Sequence, residues 1–135
     1  MEMKDILIII GSESDRDQVE PGISLIKEKG LSFELKVFSA HRNLDQLLDY
    51  LKNTADSFRV IIAAAGLSAA LPGVIASRVN LPVIGVPLVS GPLSGIDALL
   101  SILQLPKGIP VATMGIGKQG ILNAVHLTER IIRCK

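Results

Sequence analysis

Five short, largely apolar runs recur along the chain, and small or polar residues follow each of them. The runs occupy residues 6–10, 35–38, 60–64, 82–86 and 110–114. The first run contains four isoleucines and one leucine, and it ends at Gly11. Strands that are apolar at every position are typical of a parallel sheet covered on both faces, because neither face meets water. The runs therefore predict five parallel strands.

Segments with apolar residues every three or four positions lie between and after the runs and predict five helices. These helices are centred on residues 19–26, 44–51, 72–79, 94–105 and 121–132. Strand–helix alternation at this spacing predicts right-handed βαβ units and one sheet with helices on both sides. We expect Asn43 to cap the second helix and Pro21 to delay or kink the first. The apolar residues expected to point inward from the fourth helix are Ile96, Leu99, Leu100 and Leu103.

Length and composition predict a single globular domain over residues 1–135. The chain is 48% apolar and 20% charged, which excludes a disordered protein. Its formal net charge of +1 gives no basic footprint for nucleic acid. The one cysteine, Cys134, cannot form an internal disulfide, and the N-terminus does not resemble a leader peptide. A cytoplasmic location is therefore expected.

Charged residues are concentrated in the first part of the chain. Residues 1–59 hold 19 of the 27 charged side chains, whereas residues 60–117 hold three. The two charge-free stretches, 60–77 and 79–96, are each 18 residues long, which approaches the length of a membrane span. Prolines and glycines divide both stretches, so we expect buried strands and loops and no membrane segment. Part of this uncharged region is expected to lie at an interface between subunits.

The residues that follow the strands indicate a ligand site. In open parallel sheets, ligands bind beyond the carboxyl ends of the strands. All five loops are expected to open on this same edge, so a single site can be assembled from them. Gly11 and Ser12 precede a helix N-terminus, which is a favourable place for an anion. Either Ser14 or Asp15 is expected to cap that helix and to leave Ser12 free.

The second loop carries Ser39, His41 and Arg42. Arginine can bind a phosphate through two parallel hydrogen bonds, and histidine can transfer a proton near neutral pH. A histidine on a surface loop, without a catalytic role, is the alternative for His41. Other classes fit less well: the two histidines lie 85 positions apart, which offers no metal cluster, and four aromatic residues are few for a flavin site.

The motifs resemble those of the aminoimidazole ribonucleotide carboxylase and N5-carboxyaminoimidazole ribonucleotide mutase family of purine synthesis. The family's GSxSD loop corresponds to residues 11–15, its SAHR loop to 39–42 and its LPG stretch to 71–73. A long block follows at residues 85–117, and then Asn123-Ala124. The resemblance covers nearly the full length of the chain.

This resemblance implies a flavodoxin-like three-layer αβα sandwich, assembled as a homo-octamer, with a phosphoribosyl-aminoimidazole substrate and no cofactor or metal. It implies that Ser12, Ser39 and Arg42 hold the phosphate and that Asp15 contacts the ribose side. His41 would be the general acid and base. The other residues expected at the substrate are Gly11, Ser14, Gly66, Ser68, Ala70 and Leu71. In the mutase reaction, a carbamate releases carbon dioxide, which is trapped and then attacked by the imidazole carbon.

Four positions depart from the family pattern, and one of them is Pro21 in the first helix. Ala70 stands where bacterial mutases usually carry a histidine, and Ala69 stands where the carboxylase class typically has an asparagine. Arg16 replaces an aromatic residue. We therefore expect a mutase, with two alternatives: a carboxylase that uses free carbon dioxide, or a divergent paralogue for a related nucleotide. A non-catalytic nucleotide-binding protein is a third hypothesis, from a different functional class.

Overall fold

Strands and helices alternate throughout the computed structural model, which describes residues 2–135. The strands are β1 (Lys4–Ile10), β2 (Phe33–Val37), β3 (Phe58–Ala65), β4 (Val83–Pro87) and β5 (Ala112–Thr113). The helices are α1 (Arg16–Glu28), α2 (Leu44–Thr54), α3 (Leu71–Ala76), α4 (Ile96–Leu103) and α5 (Gly117–Ile132). Short 3-10 turns precede α1, at Glu13–Asp15, and follow α2, at Ala55–Ser57.

The five strands form one parallel sheet in the order β2-β1-β3-β4-β5. In the centre, Ile8 of β1 lies opposite Leu35 of β2 on one side and Ile62 of β3 on the other. From the central pair β1 and β3, β2 lies on the β1 side of the sheet, and β4 and β5 follow in order on the β3 side. This order confirms the flavodoxin-like sheet, and its topological switch point lies between β1 and β3.

Alternate residues of β1 enter two separate cores, which explains why the whole strand is apolar. Ile6, Ile8 and Ile10 pack with α1 and α5 on one face. Leu7 and Ile9 pack on the other face with residues of α2, α3 and α4. All five side chains are fully buried. The predicted arrangement of helices on both sides of the sheet is therefore confirmed.

Several predicted boundaries differ from the structure. β5 contains only two residues, Ala112 and Thr113, which are the two positions where it pairs with β4. β2 begins at Phe33, two positions before the predicted run. α3 ends at Ala76, earlier than predicted, and α4 is shorter at both ends than residues 94–105.

The expectations for the first two helix starts are met only in part. α1 begins at Arg16, five residues before Pro21, so the proline does not delay the helix. Because proline lacks an N–H, its place in the helix costs one backbone hydrogen bond. Asn43 occupies the N-cap position of α2, but its side chain makes no capping bond there. Its Oδ1 instead accepts a hydrogen bond from the Ser39 N–H at 3.3 Å.

The predicted inward face of α4 is largely wrong. Ala98 and Ile102 are the buried residues of this helix. Ile96, Leu100 and Leu103 are 51%, 56% and 52% exposed and lie along the opposite face. Apolar periodicity identifies the apolar residues of a helix, but it does not show which of them pack against the sheet. Within residues 2–135, no helix has the length and apolar character needed to cross a bilayer.

Candidate active site

A cleft of about 450 Å³ opens at the carboxyl ends of the strands, where β1 and β3 lie side by side. This volume lies within the range of small-molecule sites. The structure brings every predicted site residue to its wall: Gly11, Ser12, Ser14, Asp15, Ser39, His41, Arg42, Gly66, Ser68, Ala70 and Leu71. Their individual roles stay predictions, but their assembly at one sheet edge follows from the parallel topology.

The first loop is organised by Ser12, contrary to the expectation that Ser12 stays free. Ser12 has extended backbone angles and caps the 3-10 turn, and its Oγ accepts a hydrogen bond from the Ser14 N–H at 3.3 Å. The two serine Oγ atoms lie 2.9 Å apart. Asp15 is the N-cap residue of α1, but its side chain makes no capping bond among the described residues. One hydroxyl hydrogen of the serine pair remains available to a ligand.

Gly11 keeps this side of the cleft open. A Cβ added at Gly11 would lie 3.7 Å from the Ala65 Cβ and 3.8 Å from the Asp15 Oδ2. Both neighbours line the cleft, so a side chain at position 11 would occupy the space between them. The glycine therefore preserves room for a ligand rather than relieving a steric clash.

The second loop is a compact turn built on Ser39. The Ser39 Oγ accepts hydrogen bonds from the His41 N–H at 3.3 Å and the Arg42 N–H at 3.2 Å. The Ser39 carbonyl accepts another from the Asn43 N–H at 2.9 Å. These contacts fix the backbone that carries the His41 and Arg42 side chains. Because the Ser39 hydroxyl uses its oxygen as an acceptor, its hydrogen remains free to donate to an anion.

The third loop separates two neighbouring alanines. Ala69 is 1% exposed and packs into the core that contains α2, α3 and α4. Ala70 lines the cleft and has α-helical backbone angles that any L-residue can adopt. The position where the carboxylase class has asparagine is therefore buried, whereas the position where mutases have histidine faces the cleft.

Four of the five loops line the cleft. Ser90 is the single cleft residue from the loop after β4, and among the described residues the loop after β5 contributes none. Gly66 allows the β3 and β4 loops to approach, because an added Cβ would lie 2.8 Å from the Ser90 Cβ. β5 is the far edge of the sheet, two strands away from β3, and its distance from the switch point explains the absence of its loop.

Three titratable side chains line the cleft among residues 2–135: Asp15, His41 and Arg42. Burial raises the pKa of the Asp15 carboxyl above its ordinary value, and an interaction with the Ser12 backbone partly opposes this shift. Arg42 supplies a fixed positive charge. The cleft thus combines one cation with several hydroxyl groups, an arrangement suited to a phosphorylated ligand.

Arg16, which stands in place of the family's aromatic residue, forms an ion pair with Glu13. The hydrogen bond from Arg16 lowers the pKa of the Glu13 carboxyl. Neither residue lines the cleft. Within residues 2–135, no three histidine, cysteine or acidic side chains are grouped so that they could hold a metal ion.

Four cleft residues were missed as site candidates: Ala40, Ala65, Leu67 and Ser90. Ala40 lies within the SAHR motif, and Ala65 and Ser90 follow predicted strands, so their position at the sheet edge was a usable signal. Leu67 has a φ of 56°, in the left-handed region that favours glycine. Nothing in the sequence indicates that a leucine adopts this conformation.

Comparisons with known proteins agree with the motif resemblance. A family model described as AIR carboxylase matches residues 5–135. The N5-carboxyaminoimidazole ribonucleotide mutase of Brucella melitensis is 45% identical over 129 residues, which cover 95% of this chain and 80% of that protein. The mutase of Saccharolobus solfataricus is 43% identical, covering 98% of this chain and 84% of that protein. The crystal structure of Treponema denticola PurE matches with a TM-score of 0.82 and 30% identity, covering 94% of this chain and 78% of that one.

Proposed function

We propose, because this chain belongs to the AIR carboxylase family, that it interconverts N5-carboxyaminoimidazole ribonucleotide and 4-carboxy-5-aminoimidazole ribonucleotide in purine biosynthesis. The observation that carries the proposal is the joint presence of Ser12, Ser39, His41 and Arg42 around one cleft of about 450 Å³. A phosphate binder and a proton-transfer group in the same cleft match what this reaction needs.

In the proposed reaction, the bond between the exocyclic nitrogen and the carboxylate carbon of the carbamate breaks and releases carbon dioxide, while the nitrogen takes a proton. The imidazole carbon then forms a C–C bond to the carbon dioxide and loses its own proton. The two proton transfers balance, so one group can perform both. His41 is the proposed group, because imidazole can act as both acid and base near neutral pH.

Ser12, Ser39 and Arg42 are proposed to hold the phosphate. Arg42 provides charge and a two-pronged set of donors, and each serine loop provides a hydroxyl hydrogen. Asp15 is proposed to accept hydrogen bonds from the ribose hydroxyls. Ser68, Ala70 and Leu71, with Gly66, would enclose the carboxylated end, where a small water-poor space limits the escape of carbon dioxide.

Ala70 bears on how well the chain performs this reaction. A histidine at this cleft-facing position would offer the substrate a polar contact that a methyl group cannot. Losing one such hydrogen bond costs about 1–3 kcal/mol, or up to about a hundredfold in rate. Ser68 also lines the cleft and could supply a hydroxyl nearby. We expect mutase activity that is present but weaker than in relatives with histidine.

The test is an assay of the wild type and Ala70→His with each of two substrates. One is the carbamate nucleotide, and the other is aminoimidazole ribonucleotide with bicarbonate. We expect turnover of the carbamate by both proteins and a higher rate for Ala70→His. If the wild type were active only with aminoimidazole ribonucleotide and bicarbonate, the proposed activity would change from a mutase to a carboxylase that uses free carbon dioxide. Activity on neither, with the nucleotide still bound, would favour a binding protein.

A homo-octamer in the cytoplasm is proposed with this function. The support for self-association is the apolar face of α4, where Ile96, Leu100 and Leu103 are about half exposed. Such a face is costly to leave in water and is typical of an interface between subunits. The cytoplasmic location rests on the family resemblance and on Cys134, an exposed free cysteine. Light scattering that returned a mass near 14.4 kDa would refute the oligomer.

A further inference from the structure

The loop of residues 88–95, which follows β4, is held by a side chain from α1. Gln18 Nε2 donates a hydrogen bond to the Val89 carbonyl at 2.9 Å, and the Val89 N–H donates one to Gln18 Oε1, also at 2.9 Å. The two residues are 71 positions apart. The glutamine amide thus pairs with Val89 as a backbone amide of a neighbouring strand would. This pairing fixes both polar groups of one loop residue at once.

Val89 directly precedes Ser90, the residue through which this loop reaches the cleft. The loop also packs tightly against the loop after β3. An added Cβ at Gly66 would lie 2.8 Å from the Ser90 Cβ, and one at Gly91 would lie 2.9 Å from the Leu67 Cδ2. A small displacement of the β4 loop would therefore shift two parts of the cleft wall, Ser90 and Leu67.

Leu67 indicates that this contact is under constraint. A leucine with a φ of 56° is in a conformation that persists only where its surroundings enforce it. Leu67 is 50% exposed, so burial in the core does not account for the strain. The facing loop approaches the Leu67 side chain closely at Gly91, and Gln18 holds that loop in place.

We infer that Gln18 is a positioning residue: it fixes the Val89 backbone and thereby holds Ser90 at the cleft wall in the ligand-binding position. This inference rests on the proposed function for the identity of the ligand. Gln18 itself does not line the cleft, so it acts through Val89. If the loop is correctly placed for only a fraction of the time, the apparent affinity falls in proportion to that fraction.

The first test measures the loop directly. Gln18→Leu removes both hydrogen bonds at similar size, and Gln18→Glu keeps the size but loses the donor to the Val89 carbonyl. Gln46→Leu, on the exposed surface of α2, is the matched control. We expect amide hydrogen exchange at Val89 to accelerate roughly tenfold in Gln18→Leu, which removes the acceptor of the Val89 N–H. The acceleration should be smaller in Gln18→Glu, whose carboxylate still accepts from that N–H, and absent in the control. Unchanged exchange in Gln18→Leu would overturn the inference.

The second test measures the consequence for the ligand, with 4-carboxy-5-aminoimidazole ribonucleotide as the probe. We expect Gln18→Leu to raise KM about five- to tenfold while kcat stays within about twofold, since the bound complex is unaltered. In combination with Ser90→Ala, the effects on KM should be less than multiplicative, because both act at the same residue. An unchanged KM, or fully multiplicative effects, would refute the positioning role. Failure of the proposed function is distinguishable, because the wild type would then not bind or turn over this nucleotide. Amide exchange at Val89 would still test the inference.

Discussion

Replacement of Gly120 by alanine tests how closely the start of α5 packs on the loop before it. An added Cβ would lie 1.8 Å from the Gly115 carbonyl oxygen and 2.7 Å from its carbon. An ordinary carbon–oxygen contact is about 3.3–3.6 Å. The backbone at Gly115 would therefore have to retreat by about 1.5 Å, a movement that no side-chain rotation can supply.

Two opposing terms decide the magnitude. Alanine in place of glycine favours a helix by about 1 kcal/mol. Overpacking a well-packed site costs about 1–3 kcal/mol, and a clash with backbone belongs at the upper end. Retreat of the loop is also opposed by Ile116, whose Cγ2 would lie 2.6 Å from a Cβ at Gly95, so this side chain is already closely packed. We expect Gly120→Ala to lower the free energy of unfolding by about 2 kcal/mol, or the Tm by roughly 5–10 °C.

The assay is urea denaturation together with a thermal scan. The neighbouring exposed residue provides the control, because the difference between Gln119→Gly and Gln119→Ala measures helix preference without a clash. We expect Gln119→Ala to be more stable than Gln119→Gly, and Gly120→Ala to be less stable than the wild type. The m-value should be the same for all four proteins. If Gly120→Ala were as stable as the wild type, the close packing of Gly115 would not constrain the loop, and the reasoning would be wrong.

Three further predictions concern the cleft. His41→Asn should bind the nucleotide with an affinity within about fivefold of the wild type. Its turnover should fall at least about a hundredfold, since asparagine cannot exchange a proton. Turnover equal to the wild type would exclude an acid–base role for His41. Arg42→Lys should weaken nucleotide binding about tenfold or more in titration calorimetry, because it keeps the charge but loses the two-pronged contact. Asp15→Asn should raise the Tm at pH 7, because burial raises the pKa of this carboxyl and its ionised form therefore destabilises the folded state. That gain should disappear below pH 3.8, the ordinary pKa of the carboxyl, where Asp15 is protonated in both states, and a gain that persisted there would refute the cause.

The sequence by itself determined the fold class and the composition of the cleft. An unbroken apolar run such as residues 6–10 is stable only as a strand covered on both faces, and strands of this kind imply a parallel sheet. Parallel strands end at a common edge, so Gly11, Ser39 and Gly66 were expected near one another although they are distant in the chain. The motifs that carry the family resemblance lie in these same loops.

Other features were decided only by the tertiary structure. Sequence periodicity showed that α4 is apolar but could not show that Ala98 and Ile102, rather than Ile96 and Leu100, face the sheet. That choice depends on how the helix rotates against β4. Likewise, adjacent alanines at 69 and 70 look equivalent in sequence, yet one is buried in the core and the other lines the cleft.

The pairing of Gln18 with Val89 shows the same limit most clearly. The two residues are 71 positions apart, and nothing in their local sequence relates a half-buried position of α1 to the loop after β4. Local sequence patterns indicate which segments are buried and which form turns. Contacts between segments depend instead on the order of the strands and on the packing of α1 beside the β4 loop, which exist only once the sheet has formed.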